Sequence, residues 1–449
     1  MPQTDILIQN ARLILTMDDK RRTVPAGDVL LSGGIISAIG VGLPVTGCRI
    51  IDARGCLITP GLVNTHHHLY QTMTRAVPLA QNSSLFDWLK KLYPIWSAMR
   101  PEDFVTSAKV GMAELLLSGC TTTSDHLYFF PNGTRLEDTI YAAKEIGIRF
   151  HPTRGAMSIG ESKGGLPPDH LIEKETRILD DMIRVIDGFH DPSHGSMVRV
   201  GVAPCSPFSV SRELMRDSAI LARDKKVMMH THLAENEEDI AYSLEKFGVR
   251  PGQYVSELGW TGSDVWHAHC VKLDPEEIAL FARTETGVAH CPCSNCRLAS
   301  GIAPIRTMLD MQVPVGLGVD GVASNEVGGL FPEMRQALYT ARLREMQPDA
   351  LMPEEVLTIA TKGGSECLGL KNSGTLEIGQ NADIVVWPGD DLADIRNPID
   401  GLILGPDRRA KHVLVGGDLV VQDSQVLGID LSKAHQDLAT HSRRIWKHH

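Results

Sequence analysis

The chain has 449 residues, 43% of them hydrophobic and 22% charged, with 44 basic against 55 acidic side chains for a net charge of −11. That length and composition exclude a minimal binding module and a disordered tether, and predict one large α/β domain with a smaller companion. The acidic balance disfavours polyanions, so nucleic acid is not expected as a partner.

The opening residues, MPQTDILIQN, combine neither a basic stretch nor a long apolar run, so neither export nor a membrane partner is expected. Nine cysteines, an odd number without secretory context, argue against a disulfide framework and for a reducing cytoplasm. Short β-rich runs at 6–15, 28–31, 35–39 and 50–58 are cut by glycine pairs and polar turns, and the same texture returns at 374–387 and 411–426. Residues 1–59 and 368–430 are therefore predicted to build one small β-sandwich from both ends of the chain, with 431–449 a C-terminal helical tail.

Between residues 60 and 367, short apolar runs alternate with helical stretches. The runs end at polar residues near His66, Asp125, Arg154, Cys205, His232, His269, His290 and Asp320. Eight such units at a mean spacing of about 35 residues predict a (β/α)8, TIM-like barrel with its chemistry at the C-terminal ends of the strands. After the first run, Leu85, Trp88, Leu89, Leu92, Ile95 and Trp96 follow a helical period. That helix either roofs the site or simply packs on the barrel.

In Asn64-Thr65-His66-His67-His68, positions two apart on a strand project to one side, so His66 and His68 can reach one metal ion while His67 faces away. His232 ends the fifth run, and Glu235 stands three residues on, placed to relay a proton between water and a substrate nitrogen; the plainer alternative is a helix N-terminal charge. His230 lies one layer deeper and reads as structural. Asp320 closes an apolar run, where an unpaired carboxylate costs about 2 kcal/mol or more, so it is expected to ligate metal and orient water. His269 is expected to polarise water or substrate, while His267 and His290 receive no role. Pro292-Cys293-Ser294-Asn295-Cys296 matches half of a deaminase zinc signature, but no His or Cys is followed two residues on by Glu to supply the other half. Cys291, Cys293 and Cys296 are therefore expected to be buried thiols.

His66-x-His68, His232 with Glu235, His269 and Asp320, in that order, resemble the amidohydrolase superfamily and its cytosine- and guanine-deaminase-like branch. The segments ITPGLVNTH at 58–66 and GQNADIV at 379–385 are similar to signatures of that family. Members with two metals use a bridging Lys or carboxylate on the fourth strand, whereas residues 197–205 here read MVRVGVAPC. The resemblance thus implies one divalent ion per subunit, Zn2+ most often and Fe2+ in some members, held by His66, His68, His232 and Asp320. It further implies hydrolytic deamination of an oxidised purine by a metal-activated hydroxide, 8-oxoguanine going to urate and ammonia. Isoxanthopterin, guanine or an aminotriazine are the alternative substrates, and ring-opening of a cyclic amide is a more distant one. By the same resemblance Gln71 contacts the ring edge and Cys205, where many members carry His, lines the pocket; Arg154, ending the third run, is the candidate donor to a ring carbonyl. A small purine or pterin base is the implied partner, and a homo-oligomer is compatible with the pattern.

Overall fold

The computed structural model describes residues 5–44, 46–392 and 395–446; residues 447–449 of the expected tail lie outside the described residues. Eight parallel strands, Leu62–Asn64, Cys120–Leu127, Arg149–Ala156, Gly201–Pro204, Met229–Leu233, Val265–His269, Gly287–His290 and Val315–Leu317, close into a barrel. Closure is made where Leu317 pairs with Asn64. These strands are buried along nearly their whole length, which is why they read as short continuous runs without polar alternation. Buried Asn64 staples the seam: its amide donates to Thr123 Oγ1 at 3.0 Å, and its carbonyl accepts from Val319 N at 2.9 Å. Every predicted run end lies within three residues of an observed strand end.

The two ends of the chain meet in one nine-stranded sheet. Its centre is Leu57–Pro60, flanked in parallel by Ile6–Leu15 and in antiparallel register by Ile384–Trp387, with Thr59 opposite Val385. The strand Ile35–Gly40 bonds back to the segment before Ile384, Ile36 N donating to Gln380 O at 2.9 Å. The expected sandwich thus takes the form of a single sheet curled round its own core of Ile8, Ile14, Val29, Ile58, Ile384 and Leu414. Gly61 alone separates the sheet strand from the first barrel strand. A Cβ there would lie 1.9 Å from Thr121 Oγ1, so only glycine lets the chain pass. The helix Leu431–Trp446 lies along the helix Pro101–Leu117, where Arg444 pairs with buried Asp103. Among the described residues no helix is long and apolar enough to cross a membrane.

Sheet and barrel are tied by a buried ion pair. Arg149 meets Asp383 through two bonds, Nε to Oδ2 at 3.1 Å and a terminal nitrogen to Oδ1 at 2.9 Å, with both side chains at most 4% exposed. Removing one partner strands the other charge in a dry place, so Asp383→Asn is expected to cost about 3–5 kcal/mol in chemical denaturation, and Arg149→Met with Asp383→Leu to recover much of it.

The barrel also buries histidines that have no place in the predicted metal cluster. Burial pushes His151 and His290 down to about 3 and His267 to about 4, from a usual 6.5, and neither ring nitrogen of His151 has a partner among the described residues. These imidazoles are neutral when folded and bind protons once unfolded. Their stabilising contribution is therefore present above pH 6.5 and lost as pH falls toward 3, by about 1.4 kcal/mol per pH unit for each. Denaturation midpoints are expected to fall between pH 7 and pH 5, with a shallower slope for His151→Leu.

Candidate active site

The loops leaving the C-terminal ends of the strands converge on one point. His66 and His68 follow the first strand, His232 sits in the fifth, Glu235 follows it, His269 ends the sixth, and Asp320 lies just beyond the eighth. Backbone bonds hold the ring of loops together: Asp320 N donates to His66 O at 3.0 Å and Cys270 N to Leu233 O at 3.1 Å.

Hydrogen bonds fix where the imidazole protons lie. His68 Nδ1 faces the carbonyl of His126 at 2.7 Å, and His232 Nδ1 faces that of Cys205 at 2.6 Å. A carbonyl only accepts, so both rings carry their proton on Nδ1. His230 Nδ1 likewise donates to Trp266 O at 2.9 Å, so its Nε2 accepts from His66 Nδ1 at 2.8 Å. The supporting part expected for His230 is thus to set the tautomer of His66. All three rings turn bare Nε2 lone pairs inward. His68 Nε2 and His232 Nε2 stand 3.1 Å apart, and Asp320 Oδ1 lies 3.3 Å from Nε2 of both His66 and His68. His66 Nε2 is buried with no hydrogen-bond partner among the described residues.

Lone pairs gathered this closely, with their protons on the far side of each ring, repel unless a cation sits among them. The donor set, imidazole nitrogens plus one carboxylate, is that of zinc and its neighbours. Two overlapping quartets, His66, His68, His126, His232 and His66, His232, His269, Asp320, each bring ligand atoms within 4.8 Å of one another. The residues therefore fit a divalent ion.

Around this cluster the carboxyls separate into two states. Burial pushes Glu235 up to about 7; its Oε1 accepts from Ser300 Oγ at 3.2 Å, and its Oε2 lies 3.5 Å from His269 Nε2. Burial acts on Asp320 in the same direction, but His66, His269 and His68 outweigh it and hold the carboxyl well below its ordinary value. Asp320 also accepts from Ser294 Oγ at 2.6 Å and from Gly321 N at 2.7 Å. One group is thus poised to exchange a proton near neutrality while the other is an ionised acceptor at rest.

Gln71, Trp88, Tyr128, Cys205 and Phe208 line a cavity beside the polar cluster. The amide of Gln71 packs on Gly321, where a Cβ would lie 1.8 Å from Oε1. The helix Leu85–Ser97 roofs the cavity with Leu85, Trp88 and Leu89. Cys205 is buried with its thiol pushed up to about 12, so it lines the wall as a neutral group.

Arg154 departs from expectation. It is not on the cavity wall: its guanidinium pairs with Glu173 at 3.0 Å and Asp181 at 2.7 Å and stacks 3.9 Å from the ring centroid of Phe130, in a separate outer cleft. The period of two along its strand turns it outward, toward the helix Glu175–Phe189 that carries Asp181. Of the three neighbouring thiols, Cys291 is buried and Cys293 half-buried, but Cys296 is exposed on the outer face of the helix Pro292–Arg297. His126, Tyr128, Ser294, Asn295 and Ser300 were not singled out from sequence. His126 directly follows Asp125 at a predicted strand end, and that adjacency was the available signal.

A model of the amidohydrolase family matches residues 57–420. The chain is 43% identical to an 8-oxoguanine deaminase from Pseudomonas aeruginosa over 412 residues, covering 90% of this chain and 92% of that protein. It is 36% identical to an isoxanthopterin deaminase from an unknown prokaryotic organism, covering 99% and 97%. Its fold matches the crystal structure of an atrazine chlorohydrolase from Arthrobacter aurescens TC1 complexed with zinc, with a TM-score of 0.93 and 34% identity over 97% of this chain and 100% of that one. With most of its length matched by the family model and by relatives of this identity, the chain belongs to the amidohydrolase family.

Proposed function

We propose that this protein deaminates an oxidised purine base hydrolytically, converting 8-oxoguanine and water into urate and ammonia. The observation that carries the reading is the pairing of an inward-facing imidazole and carboxylate cluster with a separate carboxyl, Glu235, poised near neutrality. The 8-oxoguanine deaminase relative supports the substrate, and the zinc-bound relative supports zinc as the ion. His66, His68, His232 and Asp320 would hold it. Such an ion supplies Lewis-acid chemistry, lowering the pKa of a water to about 7. The fourth strand, Gly201–Pro204, carries neither Lys nor carboxylate, which supports one ion per subunit and speaks against a bridged pair.

Asp320 takes the proton that the attacking water gives up as its oxygen bonds to the amine-bearing carbon. Glu235, protonated, donates to the ring nitrogen beside that carbon; the proton held by Asp320 passes to the amine, which leaves as ammonia, and the added oxygen returns its last proton to Glu235. The oxygen stays on the ring as a carbonyl, so the atoms balance. His269 faces both carboxyls with Nε2, 3.5 Å from Glu235 and 3.9 Å from Asp320, where charge develops on the tetrahedral carbon's substituents. Gln71 presents its amide to the edge of the base, and Cys205, held neutral, adds wall without charge.

Glu235→Gln is expected to keep zinc and lose about 10²–10⁴-fold in kcat, whereas His66→Ala loses both metal and turnover, as read by elemental analysis and ammonia release. Near-normal turnover in Glu235→Gln would overturn the proton-relay role. Across 8-oxoguanine, isoxanthopterin, guanine and an aminotriazine, kcat/KM is expected to be highest for 8-oxoguanine; a higher value for any other base would reassign the substrate while leaving the chemistry intact.

A further inference from the structure

The segment that matches half of a zinc signature has another part to play. Between Ser294 and Ser300 the chain makes one helical turn and closes with Ser300 N donating to Asn295 O at 2.9 Å. The side chains of Ser294, Asn295 and Ser300 are buried, and each meets a different residue of the proton-handling group, while Arg297 between them turns away to Glu326 and Gln81. Ser294 Oγ donates to Asp320 Oδ2 at 2.6 Å, Asn295 Oδ1 faces His269 Nδ1 at 3.0 Å, and Ser300 Oγ donates to Glu235 Oε1 at 3.2 Å.

We propose that residues 294–300 are a single positioning element for proton transfer in the deamination reaction proposed above. The carbonyl of Asn295 only accepts, so it keeps a proton on His269 Nδ1 and makes Nε2 the working atom toward Glu235 and Asp320. Ser300 occupies Glu235 Oε1 and leaves Oε2 facing His269. Ser294, with Ser324 at 3.2 Å from the same oxygen, occupies Asp320 Oδ2 and leaves Oδ1 facing His66 and His68. Because one rigid turn carries the three contacts, the relative placement of the acid, the base and the imidazole is set together.

The test has two arms. In zinc-loaded, ¹⁵N-histidine-labelled wild type without substrate, the resonances missing from a His269→Gln spectrum are expected to show a protonated Nδ1. A proton on Nε2 alone would mean that the Asn295 amide donates through Nδ2, and would overturn the proposal. In the second arm, Asn295→Leu is expected to lower kcat about 10²-fold on whichever base is turned over best, with KM within about threefold and zinc stoichiometry unchanged, and Asn295→Asp to recover at least tenfold. Ser300→Ala, rescued by Ser300→Thr, repeats the comparison at a site that removes a single hydroxyl. Parallel losses in kcat and KM, loss of zinc, or no rescue would each overturn it. The imidazole spectrum needs no substrate, so an error in the substrate assignment leaves it standing.

Discussion

Lone pairs that face each other without a proton between them are the constraint on which the rest of this molecule is organised. The inward Nε2 atoms of His66, His68 and His232 and the near oxygen of Asp320 are acceptors at about hydrogen-bond distance. Each ring is locked in that state from behind, by the carbonyls of His126 and Cys205 and by His230. Those partners lie on or just beyond other strands of the barrel, His230 on the strand opposite the one that leads into His66, so the tautomers depend on closure of the barrel, and closure depends on the pairing of Leu317 with Asn64. A carboxylate and three neutral imidazoles are then buried together at tolerable cost only because a cation can join them.

The same region stores backbone strain. Ala234, His269, Cys270 and Asp320 all have positive φ, between 49° and 71°, although none is glycine. Each such residue costs about 1–3 kcal/mol and persists only where its surroundings over-determine it. Here the surroundings include backbone bonds between neighbouring loops, Asp320 N to His66 O, Cys270 N to Leu233 O and Lys272 N to Ala234 O. These four residues lie in three turns, of which one directly precedes Glu235 and the others carry His269 and Asp320, so the strain aims side chains that an unstrained loop would point elsewhere.

Much of this was legible in the residues themselves. His66 and His68 could be paired because a strand repeats every two residues, and Asp320 stood out because a carboxylate is a poor way to end an apolar run. Arg154 was misplaced because a polar residue at a strand end can face in or out, and parity is set by a register that short buried strands do not display. Ser294, Asn295 and Ser300 escaped notice because serine and asparagine in a turn satisfy backbone groups in most proteins, and nothing local separates those from residues reaching across a site. The Leu85–Trp96 stripe was ambiguous for a simpler reason: the helix does both things at once, lining the cavity with one edge and packing on the barrel with the rest. The curled sheet was foreseen as joining both ends, but its single-sheet form rests on the pairing of Leu57–Pro60 with Ile384–Trp387, strands over 300 residues apart that no local signal links.

That sheet has a bearing on how the chain is made. Its middle strand, Leu57–Pro60, is synthesised early, while the strand that covers its other edge, Ile384–Trp387, comes more than 300 residues later. At a ribosomal pace of about 5–20 residues per second, a row of unpaired amides and carbonyls stays open for about 15–60 seconds. The barrel grows from that same strand through Gly61, so its first segment is anchored to a half-built layer throughout. Newly made molecules are consequently most vulnerable to edge-to-edge association while the ribosome is still occupied, and least so once Trp387 has settled against Gly119.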